Sequence, residues 1–144
     1  MIKINHYSSL PFNRIYNLLN ELDKEFVPHL SHQVEIDKYS KKLSQRASFI
    51  LLESDIDLGL IAYYLNEKLC FISSFAIKSE YQGKGYSSRM YNTLIKGINQ
   101  NIKIIRLEVS KINTKAINFY FKIGFNIIQQ NKSTFILENK YVNK

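Results

Sequence analysis

The sequence predicts a mixed α/β (α+β) fold laid around one twisted sheet. Three strand-like runs follow one another at residues 47–53, 58–65 and 69–77, parted by the polar turns Asp55-Ile56-Asp57 and Asn66-Glu67-Lys68, as in an antiparallel meander. Apolar residues at helical spacing bracket that block on both sides. No repeat, low-complexity tract or linker rich in Gly, Pro or Ser interrupts the 144 residues, a length that one core fills, so residues 1–144 read as a single domain.

Residues 2–6 alternate apolar and polar side chains as a strand does. Pro11 then precedes a helical stretch in which Ile15, Leu18, Leu19 and Leu22 recur on one side. The segment Val27-Pro28-His29-Leu30-Ser31 is a break. A second, more polar helix is expected over residues 34–45, with Ile36, Tyr39 and Leu43 on one face. After the meander, a glycine-containing loop at residues 80–86 opens a helix over 87–100 that turns Met90, Leu94, Ile95 and Ile98 inward. A strand at 103–109, a helix at 113–123 and strands at 126–130 and 133–137 complete the order.

Composition narrows the function classes. No apolar run approaches the roughly 20 residues needed to cross a bilayer, and the alternating N-terminus lacks the apolar stretch of a signal peptide. The expected location is cytoplasmic, with no membrane partner. The single cysteine, Cys70, cannot form an internal disulfide and sits in an apolar segment, which fits a core residue. A net charge of +8, from 20 basic against 12 acidic residues, attracts anions without saying which. Nucleic acid is not the expected partner, because the basic residues are spread along the chain and no zinc-finger or RNA-binding signature occurs.

The chemistry begins at Tyr81-Gln82-Gly83-Lys84-Gly85-Tyr86-Ser87. Two glycines remove side chains that would hold the main chain away from a ligand and permit unusual dihedrals. Because the loop opens a helix, free N–H groups and the positive end of the helix dipole converge there, a site suited to a pyrophosphate. Lys84 adds a positive charge. The pattern is neither a Walker loop nor the Gly-x-Gly-x-x-Gly dinucleotide fingerprint.

Together with Asn113-x-x-Ala116-x-x-Phe119-Tyr120-x-x-x-Gly124-Phe125 downstream, this loop resembles the GCN5-related N-acetyltransferase (GNAT) superfamily, whose pyrophosphate loop reads Gln/Arg-x-x-Gly-x-Gly/Ala. Gln82 and Gly85 match, and Ser87 stands where Gly or Ala is usual. The resemblance implies a mostly antiparallel sheet of about seven strands, flanked by about four helices, whose fourth and fifth strands splay apart. It implies acetyl-CoA (coenzyme A) as acyl donor, its pantetheine arm lying along Phe75-Ala76-Ile77 like an added strand. The diphosphate would lie on Gln82, Gly83, Lys84, Gly85, Tyr86, Ser87 and Ser88.

By the same resemblance Tyr120 lies near the thioester sulfur and protonates the departing thiolate. Asn113 fits two roles, a bond to the pantetheine or acyl region and a helix N-cap. Glu108 is the candidate base. Leu107 and Val109 point to the core, so its carboxylate faces the other side of the sheet, and some members that acetylate protein N-termini carry a glutamate twelve positions before the tyrosine. Transfer would be direct, in a ternary complex, without a covalent enzyme intermediate. No metal is expected, since His6, His29 and His32 do not make a convincing ligand set.

The acceptor side rests on the first two helices and their connection. His29 and Ser31 in the Pro-bent loop, and Ser73 and Ser74 on the strand lining the cleft, are the candidate acceptor contacts. The expected partner is a small-molecule amine such as an amino sugar. A protein N-terminus or lysine is the alternative, and a non-catalytic acyl-CoA sensor is a reading from another class. Pairing of edge strands in the family implies a homodimer.

Overall fold

The computed structural model describes residues 1–140. Strands β1 (Lys3–Tyr7), β2 (Ser48–Glu53), β3 (Asp57–Leu65), β4 (Leu69–Ile77), β5 (Ile104–Ser110), β6 (Asn126–Gln130) and β7 (Thr134–Lys140) form one sheet in the order β1-β2-β3-β4-β5-β7-β6. Every neighbouring pair is antiparallel except β4 and β5. The helices are α1 (Phe12–Glu21), α2 (Leu30–Gln33), α3 (Ile36–Arg46), α4 (Tyr86–Gly97) and α5 (Thr114–Lys122).

Both faces of the central strands are covered, so their side chains alternate between two cores rather than between core and water. Phe49, Leu51, Leu60 and Ala62 pack with Ile15, Leu18, Leu19 and Leu43 of α1 and α3. Ile50, Ile61, Ile72 and Leu107 pack on the other side with Met90, Leu94 and Ile117 of α4 and α5. This explains the near-continuous apolar runs of the meander. At the far corner Arg14 of α1 pairs with Glu53 and Asp57, which bind the helix to the β2–β3 turn, and the Tyr7 hydroxyl donates to Glu53.

Strand β4 carries one residue more than β3. Tyr63 pairs with Ile72 and Ala62 with Ser74, leaving Ser73 as a bulge. The parallel pairing with β5 spans only Leu69–Ile72 against Ile104–Leu107. It stops where the bulge begins, and Phe75, Ala76 and Ile77 continue along β3 with the edge toward β5 open. The splay implied by the resemblance is therefore present.

The element order matches the expectation, with differences that have local causes. Among the described residues there are five helices rather than about four, because the single turn α2 starts at the end of the break, where the Ser31 N–H and hydroxyl both donate to Asp23. One-turn 3₁₀ segments at Asp23–Glu25 and Ser79–Tyr81 carry no periodic signal to read. Helix α4 ends at Gly97, and Ile98 stays buried although it turns extended, so it prolongs the apolar spacing past the helix. Strand β7 runs to Lys140 beside Ile104.

Among the described residues no helix is long and apolar enough to cross a membrane. Cys70 is fully buried, and burial pushes its thiol up to about 12. At neutral pH the thiol should stay protonated and resist a thiol reagent until the chain is unfolded in denaturant, which a colorimetric thiol assay reads. Gly59 faces the end of β4 so closely that an added Cβ would lie 2.3 Å from Ile77 Cγ2 and 2.9 Å from the Ala76 carbonyl oxygen. Gly59→Ala should destabilise the fold by about 1–3 kcal/mol, seen as a lower urea midpoint.

Candidate active site

Two clefts open where β4 and β5 part. The first, of about 570 Å³, lies between the end of β4, the start of α4 and the exposed side of α5. The second, of about 800 Å³, lies between the chain before α3, the middle of β4 and the end of β5. Phe75, Asn113, Ala116, Tyr120 and Val27 line both and so mark the junction.

The smaller cleft is headed by a loop whose backbone can receive an anion. Gly83 and Gly85 hold φ of 74° and 85°, in the left-handed region. A Cβ at either would meet nothing within 4 Å, so it is the backbone conformation, not crowding, that calls for glycine. Gly85 is the N-cap of α4, and the first-turn N–H groups of Tyr86, Ser87 and Ser88 are beyond the reach of intrahelical carbonyls. Gln82 turns inward. Its amide donates to the Ile77 carbonyl at 2.9 Å and to Glu25 at 3.0 Å, while Lys115 donates to its oxygen at 2.6 Å. One side chain thus ties the end of β4 to the turn after α1 and to the first turn of α5.

Of the residues expected to hold a cofactor, Phe75, Ala76, Ile77, Gln82, Gly83, Gly85, Tyr86, Ser87, Ser88, Asn113 and Tyr120 all line this cleft. Lys84 does not. Its ammonium lies 6.0 Å from the Tyr81 ring centroid, outside the lining, because the glycine on either side turns the loop at that point. Lys24, Glu25, Lys115 and Lys122 also line it and were not foreseen. Glu25 and Lys115 stand 57 and 33 residues from Gln82, so no local pattern announces them.

Tyr120 is buried against Phe75, Phe119 and Phe125, with ring centroids 6.3, 5.6 and 5.5 Å away. These contacts fix the ring, and among the described residues its hydroxyl makes no hydrogen bond. Burial pushes the phenol well above its ordinary value, so it stays protonated. Asn113 caps α5, its side chain accepting from the Ala116 N–H at 3.3 Å, and it also borders both clefts, so its two expected roles coexist. Gly124, at φ 108°, closes the helix and lets the Phe125 N–H reach the Tyr120 carbonyl.

In the larger cleft Glu108 is exposed on the face opposite to buried Leu107 and Val109. Thr134 donates to its carboxylate at 2.5 Å and Asn131 at 3.4 Å, which aims it from the β6–β7 turn. Ser73 and Ser74 line the same cleft, but both hydroxyls meet the Tyr39 hydroxyl at 2.5 Å. Adjacent residues of a regular strand point to opposite sides, and the bulge is what allows both serines to face Tyr39. Burial pushes the Tyr39 phenol up while the two serines pull it down. Tyr39 was expected only as one residue of an apolar helix face.

His29 and Ser31 line neither cleft. The α2 turn sends Leu30 into the core and leaves His29 outside, stacked on His32 with centroids 5.1 Å apart, while Asp23 holds Ser31. The cleft takes Phe26, Val27, Pro28 and Leu30 from this segment instead. Among the described residues no group of three or more His, Cys, Asp or Glu is placed to hold a metal.

The sequence matches the acetyltransferase (GNAT) family over residues 12–125. No curated protein sequence matches it significantly. Among solved structures, the PaiA N-acetyltransferase of Thermoplasma acidophilum in complex with coenzyme A superposes with a TM-score of 0.79 at 20% identity, covering 98% of this chain and 99% of that one. The ribosomal-protein-S18-alanine N-acetyltransferase of Escherichia coli gives 0.73 at 16% identity over 97% and 94%. The N-acetyltransferase PseH of Campylobacter jejuni gives 0.66 at 21% identity over 97% and 98%. At these identities the structures speak for the fold, and the match over most of the sequence carries the assignment: the chain belongs to the acetyltransferase (GNAT) family.

Proposed function

We propose that the protein transfers an acetyl group from acetyl-CoA to the primary amine of a small molecule, in a ternary complex formed across the two clefts. The observation that carries this is the junction at Tyr120, where a cleft headed by an anion-binding loop meets a second cleft bearing a carboxylate. The PaiA relative is described as a complex with coenzyme A, which favours the same ligand here.

The smaller cleft fits that ligand. The loop from Gly83 to Ser88 offers N–H groups to a diphosphate, and the open edge of Phe75-Ala76-Ile77 offers main-chain groups to the pantetheine amides. Acetyl-CoA, when bound, supplies an activated thioester at the junction. Glu108 takes one proton of the incoming ammonium, directly or through water, and the freed nitrogen forms the new N–C bond as the C–S bond breaks; the second proton the nitrogen then loses passes, directly or through water, to the Tyr120 phenolate left by protonation of the sulfur. Tyr120 delivers a proton to the sulfur that leaves, and its buried, protonated phenol suits that task. The Ile77 main-chain N–H is the group assigned to polarise the thioester carbonyl.

The acceptor cleft, at about 800 Å³, is of the size that encloses a small ligand. A peptide N-terminus is the second reading, favoured by the glutamate twelve positions before Tyr120 and by a structural relative described as acting on ribosomal protein S18 alanine. Action as one domain without a metal, a cytoplasmic location and pairing of edge strands into a homodimer belong to the same proposal.

Release of free coenzyme A from acetyl-CoA across a panel of primary amines tests the reading. Turnover with at least one amine is expected, and tight coenzyme A binding without turnover on any amine would refute it. Tyr120→Phe should lower kcat by about 100-fold and leave the coenzyme A Kd within about threefold, since the ring keeps its aromatic neighbours. Unchanged kcat would remove Tyr120 from the acid role. In the wild type, kcat should rise as the acceptor amine deprotonates, then level. Because the phenol is pushed above its ordinary 10.0, no descending limb is expected below pH 10.0.

A further inference from the structure

The Asp, Glu, Lys and Arg residues that line the acceptor cleft all come from β5, the turn after it and the β6–β7 turn: Glu108, Lys111 and Lys132. The opposite wall is neutral, made by Phe26, Val27, Pro28 and Leu30 beside the hydroxyls of Tyr39, Ser73 and Ser74. The two lysines are brought together by main-chain contacts. The Lys111 N–H donates to the Ser133 carbonyl at 2.9 Å, and the Asn131 N–H closes the turn onto the Thr134 carbonyl at 2.9 Å, so Lys132 stands at the tip of a hydrogen-bonded turn.

The ammonium groups are not neutralised within the described residues. Neither lysine enters an ion pair, and Lys111 lies 5.3 Å over the Phe135 ring. Glu108 does not serve them either, since its partners are the neutral donors Thr134 and Asn131. A cleft wall with one carboxylate and two unpaired ammonium groups has an uneven charge, and the chain around it carries +8. A polyamine or lysine-rich acceptor would bring further positive charge to that wall. An acceptor with an anionic group would complete it.

Resting on the acetyl-transfer reading above, we propose that the acceptor is a zwitterionic small molecule, a primary amine carrying an oxyanion, with the amine beside Glu108 and the oxyanion on Lys111 and Lys132. A phosphoryl group and a carboxylate share this chemistry, and two lysines favour the more highly charged phosphoryl group.

Matched probes test it: glucosamine against glucosamine 6-phosphate, glycinamide against glycine, and spermidine. The expected result is a kcat/KM about tenfold or more higher for the anionic member of at least one pair, with spermidine the poorest acceptor. The phosphate pair and the carboxylate pair separate the two sources of charge. The double substitution Lys111→Ala, Lys132→Ala should reduce that ratio to near one, and Lys132→Glu should invert it. Equal rates within both pairs, a preference for spermidine, or a ratio that survives the double substitution would overturn the proposal.

If no amine is acetylated, the transfer reading fails, and the anion site is decided separately by calorimetry with glucose 6-phosphate, which has no amine. Binding to the wild type that the double substitution abolishes supports the site. No binding, or binding unchanged by the double substitution, overturns it.

Discussion

Ser73 is the residue that β4 holds in excess of β3, and the bend at this bulge coincides with the point where β4 and β5 part. Had the parallel ladder continued, β5 would have used the edge of Phe75-Ala76-Ile77, and neither cleft would exist. The same insertion turns two consecutive serines toward Tyr39, so the strand is pinned where it departs from regularity. Each neutral hydrogen bond is worth only about 0.5–1.5 kcal/mol net. Their effect is geometric, since they fix one wall of the larger cleft.

Diverging strands need something to hold their ends at a defined spacing. Gln82 does this from the loop, joining the Ile77 carbonyl, Glu25 and Lys115, three elements that meet nowhere else in sequence. Gly59 does it from behind, by letting β3 approach β4 with no side chain between them. On the other side of the opening, the edge-to-face and tilted rings of Phe75, Phe119, Tyr120 and Phe125 fill the space between β4 and α5. The width of the junction therefore follows from contacts made outside it, which is how a site gains a fixed geometry before any ligand arrives.

Local rules make much of this legible in the sequence. The alternation of β1, the apolar runs of the meander and the spacing of Ile15, Leu18 and Leu22 each report a burial pattern that neighbours in the chain determine. The loop from Gln82 to Ser88 is legible as an anion site because glycine conformation and helix capping are also local, while the reading of the segment from Asn113 to Phe125 rests on its resemblance to a family motif. What escapes is the contact between distant elements. Thr134 aiming Glu108, Lys115 reaching Gln82 and Tyr39 bridging two serines depend on strand order and on the bulge, and no single segment encodes those. His29 illustrates the opposite failure: a polar residue in a distinctive loop draws notice, yet the one-turn α2 points it outward.

The junction also orders the events of the proposed reaction. Its collar is Val27, Phe75, Ala116, Asn113 and Tyr120, with no carboxylate, whereas Glu108 borders only the acceptor cleft. An ammonium entering that collar would surrender hydration worth several kcal/mol without an ionic partner, so the charged form is held back and the neutral amine is admitted. Proton loss then belongs to the approach, on the Glu108 side, and not to the encounter with the thioester. This separates in space the first proton transfer, to a solvent-accessible carboxylate, from the later exchange at a buried phenol, which gives its proton to the sulfur and is restored by the second proton of the nitrogen.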